Sequence, residues 1–145
     1  MKNIKKVELY VKENIPVGND KFSTIESVVD SEIVEKELRH CDREKFIVLH
    51  LNIKNKILSY EVVSTGSLTA SIVHPREVYK GAILANAARV ILLHNHPSGD
   101  PEPSQDDKDI TRRLNQAGKL LGINVLDHII IAGNKYYSFS QHNLL

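Results

Sequence analysis

The fold is most readily inferred from one stretch of the sequence, RVILLHNHPSGDPEPSQDD, residues 89–107. It begins with a short apolar run, which is typical of a buried strand, and continues into a loop rich in proline and glycine. The loop reaches Ser104, a residue type favoured at helix N-caps, and the amphipathic helix that follows is predicted to stop at Gly122. The stretch therefore predicts a strand, a loop and a helix in succession.

Strands and helices also alternate on both sides of this stretch. Helices are predicted over 23–40, with a break near Asp30 and Ser31, and from Pro75 to about Ala88. Strands are predicted over 46–53, 57–63, 69–73, 89–93, 123–132 and 135–140. This order predicts an α/β fold or a three-layer α/β/α sandwich with a mixed sheet. Residues 1–22, in which Val7, Leu9 and Val11 alternate with polar residues, are predicted to form an N-terminal strand or appendage, and residues 23–145 one domain.

Composition narrows the function classes. The chain has 145 residues, enough for one hydrophobic core, and its longest apolar runs fall far short of the roughly 20 residues of a membrane span. Its formal net charge of +1 provides no overall field toward nucleic acid or an acidic membrane. The single cysteine, Cys41, fits a reducing compartment, so the expected location is the cytoplasm.

Two histidines two residues apart carry the chemistry. Because side chains alternate along a strand, His94 and His96 are predicted to project to the same side, with Asn95 pointing away. Asp107, one turn into the following helix, can add a carboxylate to the pair. Two imidazoles and a carboxylate fill three positions of a tetrahedral zinc site and leave the fourth for water. The simpler interpretation of Ser104 and Asp107 is a capping box, which requires no metal.

The spacing resembles a known signature. His94-x-His96, seven residues, Ser104, two residues and Asp107 is similar to the signature of the JAB/MPN (JAMM) metalloprotease family, and HNHPSG with PSQ resembles its bacterial RadC branch. Three further segments look like RadC segments: HPREV at 74–78, ANAA at 85–88 and LDHIII at 126–131. The resemblance covers the chain from about Glu44 onward.

This resemblance implies a fold and a metal site. The fold would be the JAB/MPN α/β/α sandwich, which is cytidine-deaminase-like. One zinc ion per chain would be held by His94, His96 and Asp107 with water as the fourth ligand, and Ser104 would lie near the reacting centre. His128, in an apolar strand, is interpreted as a core or supporting residue rather than a ligand.

The resemblance also implies a glutamate that takes a proton from the metal-activated water. Family members carry it where the first core strand begins, and that position corresponds to Glu44 in REKFIVL, residues 43–49. Hydrolysis at zinc requires such a general base on chemical grounds as well. Glu61, in the second strand of the hairpin, is the alternative.

Three functions remain open at this point. The leading one is a zinc-dependent hydrolase of amide or isopeptide bonds acting on a peptide or protein. The second is a DNA-repair or mobile-element accessory protein, but the expected helix-hairpin-helix segment has no room in the roughly 43 residues before the match, and the net charge of +1 does not favour DNA binding. The third is an inactive scaffold, against which the complete ligand set argues.

Overall fold

A five-stranded mixed sheet forms the centre of the fold. The computed structural model describes residues 2–6, 8, 14, 16–66, 68 and 73–145. Within these residues the strands are β1 (Glu44–Leu51), β2 (Ile57–Gly66), β3 (Arg89–Asn95), β4 (Asn124–Ala132) and β5 (Lys135–Ser138). Their order across the sheet is β2-β1-β3-β4-β5, and only β3 and β4 pair in parallel. The predicted mixed sheet is confirmed, and it is open rather than closed into a barrel.

Helices cover both faces of this sheet. On one face lie α1 (Ile25–Val29), α2 (Glu32–Val34) and a π-helical segment (Glu35–Arg39); on the other lie α3 (Pro75–Leu84) and α4 (Gln105–Leu121). A 3₁₀ turn (Ser140–His142) follows β5. The predicted α/β/α sandwich is therefore also confirmed.

Successive residues of the central strands enter two different cores. In β1 and β3, Ile47, Leu49, Ile91 and Leu93 pack toward α1 and α2, while Phe46, Val48, Val90 and Leu92 pack toward α3 and α4. Because both faces are covered, these strands are apolar at consecutive positions rather than at alternate ones. His94 follows the second set by the same alternation, which places it on the face under α4.

The predicted helices differ from the structure mainly at the C-terminal end of α3. The break at Ser31 is present, since Thr24 caps α1 and the Ser31 hydroxyl accepts a hydrogen bond at the start of α2. The helix α3, however, ends at Leu84 rather than near Ala88. Asn86 has a left-handed φ of 55°, and the Ala88 N–H donates to the Leu51 carbonyl of β1, 2.9 Å away. A tertiary hydrogen bond thus overrides the helix propensity of the alanines.

Some predictions fall on residues outside the described ranges. The predicted first strand, with Val7, Leu9 and Val11, and residues 69–72 of the predicted third strand are among them. The division into 1–22 and 23–145 stays a prediction. Of the helices in the described part of the chain, none has the length and apolar character that crossing a membrane requires.

Candidate metal centre

His94 and His96 stand at the carboxyl end of β3. His94 is fully buried, and His96, one residue beyond the strand, is half-buried. Their side chains project to the same side, as the strand period predicts, and the two Nε2 atoms lie 3.0 Å apart. Two imidazole nitrogens are therefore brought to one point by the backbone of a single strand.

Asn95 points away from the two histidines, and its side chain forms hydrogen bonds with the backbone at the start of β1. Its side-chain oxygen accepts a hydrogen bond from the backbone N–H of Lys45 (2.7 Å), and its amide nitrogen donates to the carbonyl of Arg43 (2.8 Å). The residue between the histidines thus fastens the start of β1, where Glu44 lies. Sequence reasoning assigned the direction of Asn95 but missed this role.

Asp107 reaches the histidines from the first turn of α4. The Ser104 hydroxyl accepts a hydrogen bond from the Asp107 N–H (3.1 Å), and Asp107 Oδ2 accepts one from the Ser104 N–H (2.9 Å). This is the capping box that the simpler interpretation predicts. The same Oδ2 lies 3.2 Å from His96 Nε2, so the cap and the convergence on the histidines exist together.

The three donor groups lie close enough together to share one metal ion. His94 Nε2 lies 3.0 Å from His96 Nε2 and 3.4 Å from Asp107 Oδ1, and His96 Nε2 lies 3.2 Å from Asp107 Oδ2. Zinc–ligand bonds of about 2.0 Å at tetrahedral angles separate neighbouring ligand atoms by about 3.3 Å. Among the described residues this is the group of histidine, cysteine or acidic side chains that could hold a metal ion.

The charges of the site attract a cation. The Nδ1–H of His96 donates to the Asp100 carbonyl (2.8 Å), so the neutral ring presents a lone pair at Nε2 toward the Asp107 carboxylate. The hydrogen bond that a protonated Nε2 would donate to Asp107 raises the pKa of His96 against the opposing effect of burial. Burial acts to raise the pKa of Asp107, but the hydrogen bonds that protonated His94 and His96 would donate to it outweigh burial and hold that pKa well below its usual range. A positive ion between these acceptors satisfies all of them.

Glu44 begins β1 on the same face as the donor groups. In the antiparallel pairing of β1 with β3, Phe46 lies opposite His94, where the pairing ends. Glu44 lies two residues before Phe46 along β1, on the same face of the sheet. The negative charge of Glu44 contributes to the raised pKa of His96. Among the described residues no hydrogen bond or ion pair joins this half-buried side chain to the three donors. The Glu44 carboxylate therefore lies near the three candidate metal ligands but is not one of them.

Glu61, the alternative base, lies elsewhere. It is in β2, which β1 separates from β3, and it pairs with Val48. Its carboxylate lies against Gly81 of α3, where burial raises its pKa. The structure thus brings Glu44, and not Glu61, to the end of the sheet that carries the histidines.

Two residues behind His94 support it. His128 of β4 is fully buried, and its Nε2 lies 2.7 Å from His94 Nδ1. Its Nδ1 lies 2.6 Å from the Thr111 hydroxyl of α4. Burial in apolar surroundings lowers the pKa of His128 well below its usual range. Sequence analysis placed His128 as a supporting residue but missed Thr111, whose signal was its position four residues after Asp107, on the same helix face.

A comparison of the sequence with protein families identifies the family in which this group of residues occurs. Residues 22–144 match the family model described as the RadC-like JAB domain. The chain belongs to the RadC-like JAB domain family. The resemblance that His94, His96, Ser104 and Asp107 suggested is therefore confirmed, together with the JAB-like fold.

Curated relatives of this RadC-like chain share more than half of the aligned residues. A UPF0758 protein of Desulfitobacterium hafniense is 52% identical over 113 residues, covering 78% of this chain and 50% of the relative. A UPF0758 protein of Methanosarcina acetivorans is 56% identical over 108 residues (74% and 47%), and one of Pelobacter propionicus is 53% identical over 126 residues (87% and 54%). The chain spans about half the length of these relatives, and their names state no activity.

Proposed function

We propose that this RadC-like JAB domain is a zinc-dependent hydrolase of amide or isopeptide bonds with a peptide or protein substrate. The observation that carries the proposal is the convergence of His94, His96 and Asp107 on one point, with the charge of Glu44 nearby. Three protein ligands with an open fourth position are typical of catalytic rather than structural zinc sites.

The three donors hold the ion, and the remaining residues handle protons and charge. A zinc ion bound there supplies Lewis acidity, which lowers the pKa of a coordinated water and polarises a substrate carbonyl. His96 is oriented for this by its Nδ1–H bond to the Asp100 carbonyl, and Asp107 by the N–H of Ser104. Such supporting bonds fix the ligand atoms before the ion arrives.

Glu44 moves the proton. Its carboxylate accepts a proton from the attacking water as the water oxygen bonds to the carbonyl carbon, and it delivers that proton to the nitrogen as the C–N bond breaks. Support comes from its place near His96, whose pKa its charge raises, and from its half-buried setting. No hydrogen bond or ion pair joins its carboxylate to another side chain of the described residues, so the carboxylate is available to a water molecule at the site.

Ser104 stabilises the carbonyl oxygen as that oxygen gains negative charge. The Ser104 hydroxyl already accepts a hydrogen bond from the Asp107 N–H, and its own proton has no acceptor among the described residues. That proton is available to an oxyanion beside the metal. Loss of one such donor typically costs about 10²- to 10³-fold in rate, so Ser104→Ala is expected to impair turnover while the metal stays bound.

Metal content is the first test. The protein purified without chelator is expected to contain about one zinc per chain by elemental analysis. His96→Ala is expected to lose it, whereas His40→Ala, which changes an exposed histidine paired with Glu35, keeps it. Absence of metal from the wild-type protein, even after incubation with excess zinc, would reduce Ser104 and Asp107 to a helix cap and favour the scaffold function.

Hydrolysis is the second test. A peptide and isopeptide substrate screen is run with the wild-type protein, with Glu44→Gln and with Glu61→Gln as the matched control. The expected result is zinc-dependent cleavage that Glu44→Gln abolishes without loss of metal and that Glu61→Gln leaves intact. Cleavage of equal rate in Glu44→Gln would remove Glu44 from the mechanism.

A further inference from the structure

A ring of buried hydrogen bonds runs behind His94. It leaves the His94 side chain at Nδ1, passes through His128 (2.7 Å) and the Thr111 hydroxyl (2.6 Å), and ends at the backbone carbonyl of Asp107 (2.7 Å). The Asp107 carboxylate closes the ring by proximity and not by a hydrogen bond, since its Oδ1 lies 3.4 Å from His94 Nε2. The ring joins β3, β4 and α4, the elements that bear it.

The direction of these bonds is determined from the carbonyl end. A carbonyl oxygen only accepts, so the single hydroxyl proton of Thr111 is donated to the Asp107 carbonyl. The Thr111 oxygen can then only accept a hydrogen bond from His128. The proton between them must therefore lie on Nδ1 of His128.

The direction carries through His128 to His94. A second proton on His128 would place a full positive charge on a completely buried ring that makes no carboxylate contact among the described residues, which is costly. Nε2 of His128 is therefore a lone-pair acceptor, and His94 donates its Nδ1–H to it. In the neutral His94 ring the lone pair is then at Nε2, which faces His96 and Asp107.

Aromatic packing keeps His128 from turning away. The Phe139 ring stacks on the imidazole at 4.6 Å with an interplanar angle of 8°, and Phe46 meets it edge-on at 5.6 Å. Both rings are buried. A ring flip of His128 would exchange its nitrogens and carbons and break both hydrogen bonds, so packing and hydrogen bonding select the same orientation.

We infer that His128 and Thr111 are positioning residues that hold His94 as the Nδ1–H tautomer and so commit its Nε2 to the cation site. The identity of the cation rests on the proposed function, whereas the tautomer rests on the hydrogen-bond ring alone. Neither residue touches substrate or metal. Their effect is transmitted through His94.

The test reads the tautomer directly. Imidazole ¹⁵N–¹H correlation spectra of the metal-free 145-residue chain, at mildly alkaline pH, distinguish Nδ1–H from Nε2–H rings. His94 and His128 are both expected to be Nδ1–H in the wild-type protein and in Thr111→Ser, which keeps the hydroxyl. An Nε2–H tautomer at either histidine of the wild-type protein would overturn the inference whether or not zinc binds.

A zinc titration supplies the second readout. With a competing chelator, Thr111→Val is expected to bind zinc about 10- to 100-fold more weakly than the wild-type protein, and Thr111→Ser nearly as tightly. Circular dichroism of each metal-free variant checks that it is folded. Equal zinc affinity of a folded Thr111→Val and the wild-type protein would contradict the inference. Failure of the wild-type protein to bind zinc contradicts the proposed function instead, and the tautomer spectra still decide this inference.

Discussion

His128 and His50 are buried on the same face of the sheet, and their surroundings differ. His128, with His94, Asp107 and Thr111, forms what we term the α4 half, where both of its ring nitrogens have partners. His50 of β1, with Ser59, Glu61 and Gly81, forms the α3 half. There Nδ1 contacts the Ser59 hydroxyl at 2.7 Å, and Nε2 has no hydrogen-bond partner among the described residues.

The difference shows what a buried histidine requires. A buried polar atom without a partner costs about 1–3 kcal/mol, so most such atoms are paired. In the α4 half the two ring nitrogens of His128 are both paired, and one of these bonds also orients His94, a candidate metal ligand. In the α3 half the bond to Ser59 fixes one nitrogen of His50 and the other remains a cost to folding. Burial lowers the pKa of His50 to about 4 as a result.

Removing the charge of Asp107 is expected to have the largest effect on the α4 half, because it removes a candidate metal ligand. Zinc at about a thousandfold excess over its Kd is expected to stabilise the wild-type protein by about 4 kcal/mol, measured by urea unfolding with and without zinc. Asp107→Asn is expected to lose this zinc-dependent gain because a carboxylate ligand is gone. Asp106→Asn, at the exposed neighbouring position, is the control and should keep it. A full zinc effect in Asp107→Asn would refute the ligand assignment.

In the α3 half the pH dependence of stability tests the role of His50. Below about pH 6.5 the unfolded chain binds a proton at His50 that the folded chain does not bind until about pH 4. Stability is therefore present above pH 6.5 and is lost as the pH falls to about 4, by about 3 kcal/mol from this group. Urea unfolding of the metal-free protein across that range should show a smaller loss in His50→Gln. Equal losses in the two proteins would mean that His50 does not titrate this way.

Two glycines test how tightly the two helices on this face are packed. A Cβ at Gly118 of α4 would overlap the Ile123 carbonyl and the Tyr79 hydroxyl, whereas one at Gly81 of α3 would meet mainly the end of the Glu61 side chain. Backbone cannot move aside as a carboxylate can, so Gly118→Ala is expected to cost about 1–3 kcal/mol. Gly81→Ala should cost less, since alanine favours the helix by about 1 kcal/mol. Urea denaturation of both variants decides, and a larger cost at Gly81 would contradict this picture.

The smallest expected effect concerns the cap of α4. In metal-free protein Ser104→Ala should lower the free energy of unfolding by about 1 kcal/mol, because the Asp107 N–H loses its acceptor. Ser104→Thr, which keeps a hydroxyl, should lose less. Thermal unfolding of the three proteins measures this, and an unchanged stability of Ser104→Ala would show that the capping bond contributes nothing.

Local patterns were sufficient for the parts of the site that one stretch of chain builds. The strand period places His94 and His96 together, and the cap at Ser104 places Asp107 one turn into α4. These relations span few residues, so sequence spacing determines them. For the same reason the helix break at Ser31 could be predicted.

Long-range pairing was beyond the reach of spacing. The register that brings Glu44 to the end of the sheet where His96 lies depends on how β1 pairs with β3, and the place of His128 depends on the parallel pairing of β3 with β4. Side-chain periodicity shows which residues share a face but not which strand lies alongside. The choice between Glu44 and Glu61 therefore came from family resemblance, and the ring through Thr111 became visible only in three dimensions.

The two-sided use of the His-Asn-His tripeptide makes strand register a chemical constraint. A slip of β3 by one residue would turn Asn95 into the site and both histidines out of it. The same slip would release the backbone of Arg43 and Lys45 that Asn95 holds, and with it the start of β1. An error in pairing would thus remove the candidate ligands and the candidate base together, so a misregistered chain would be inert rather than carry a half-built site.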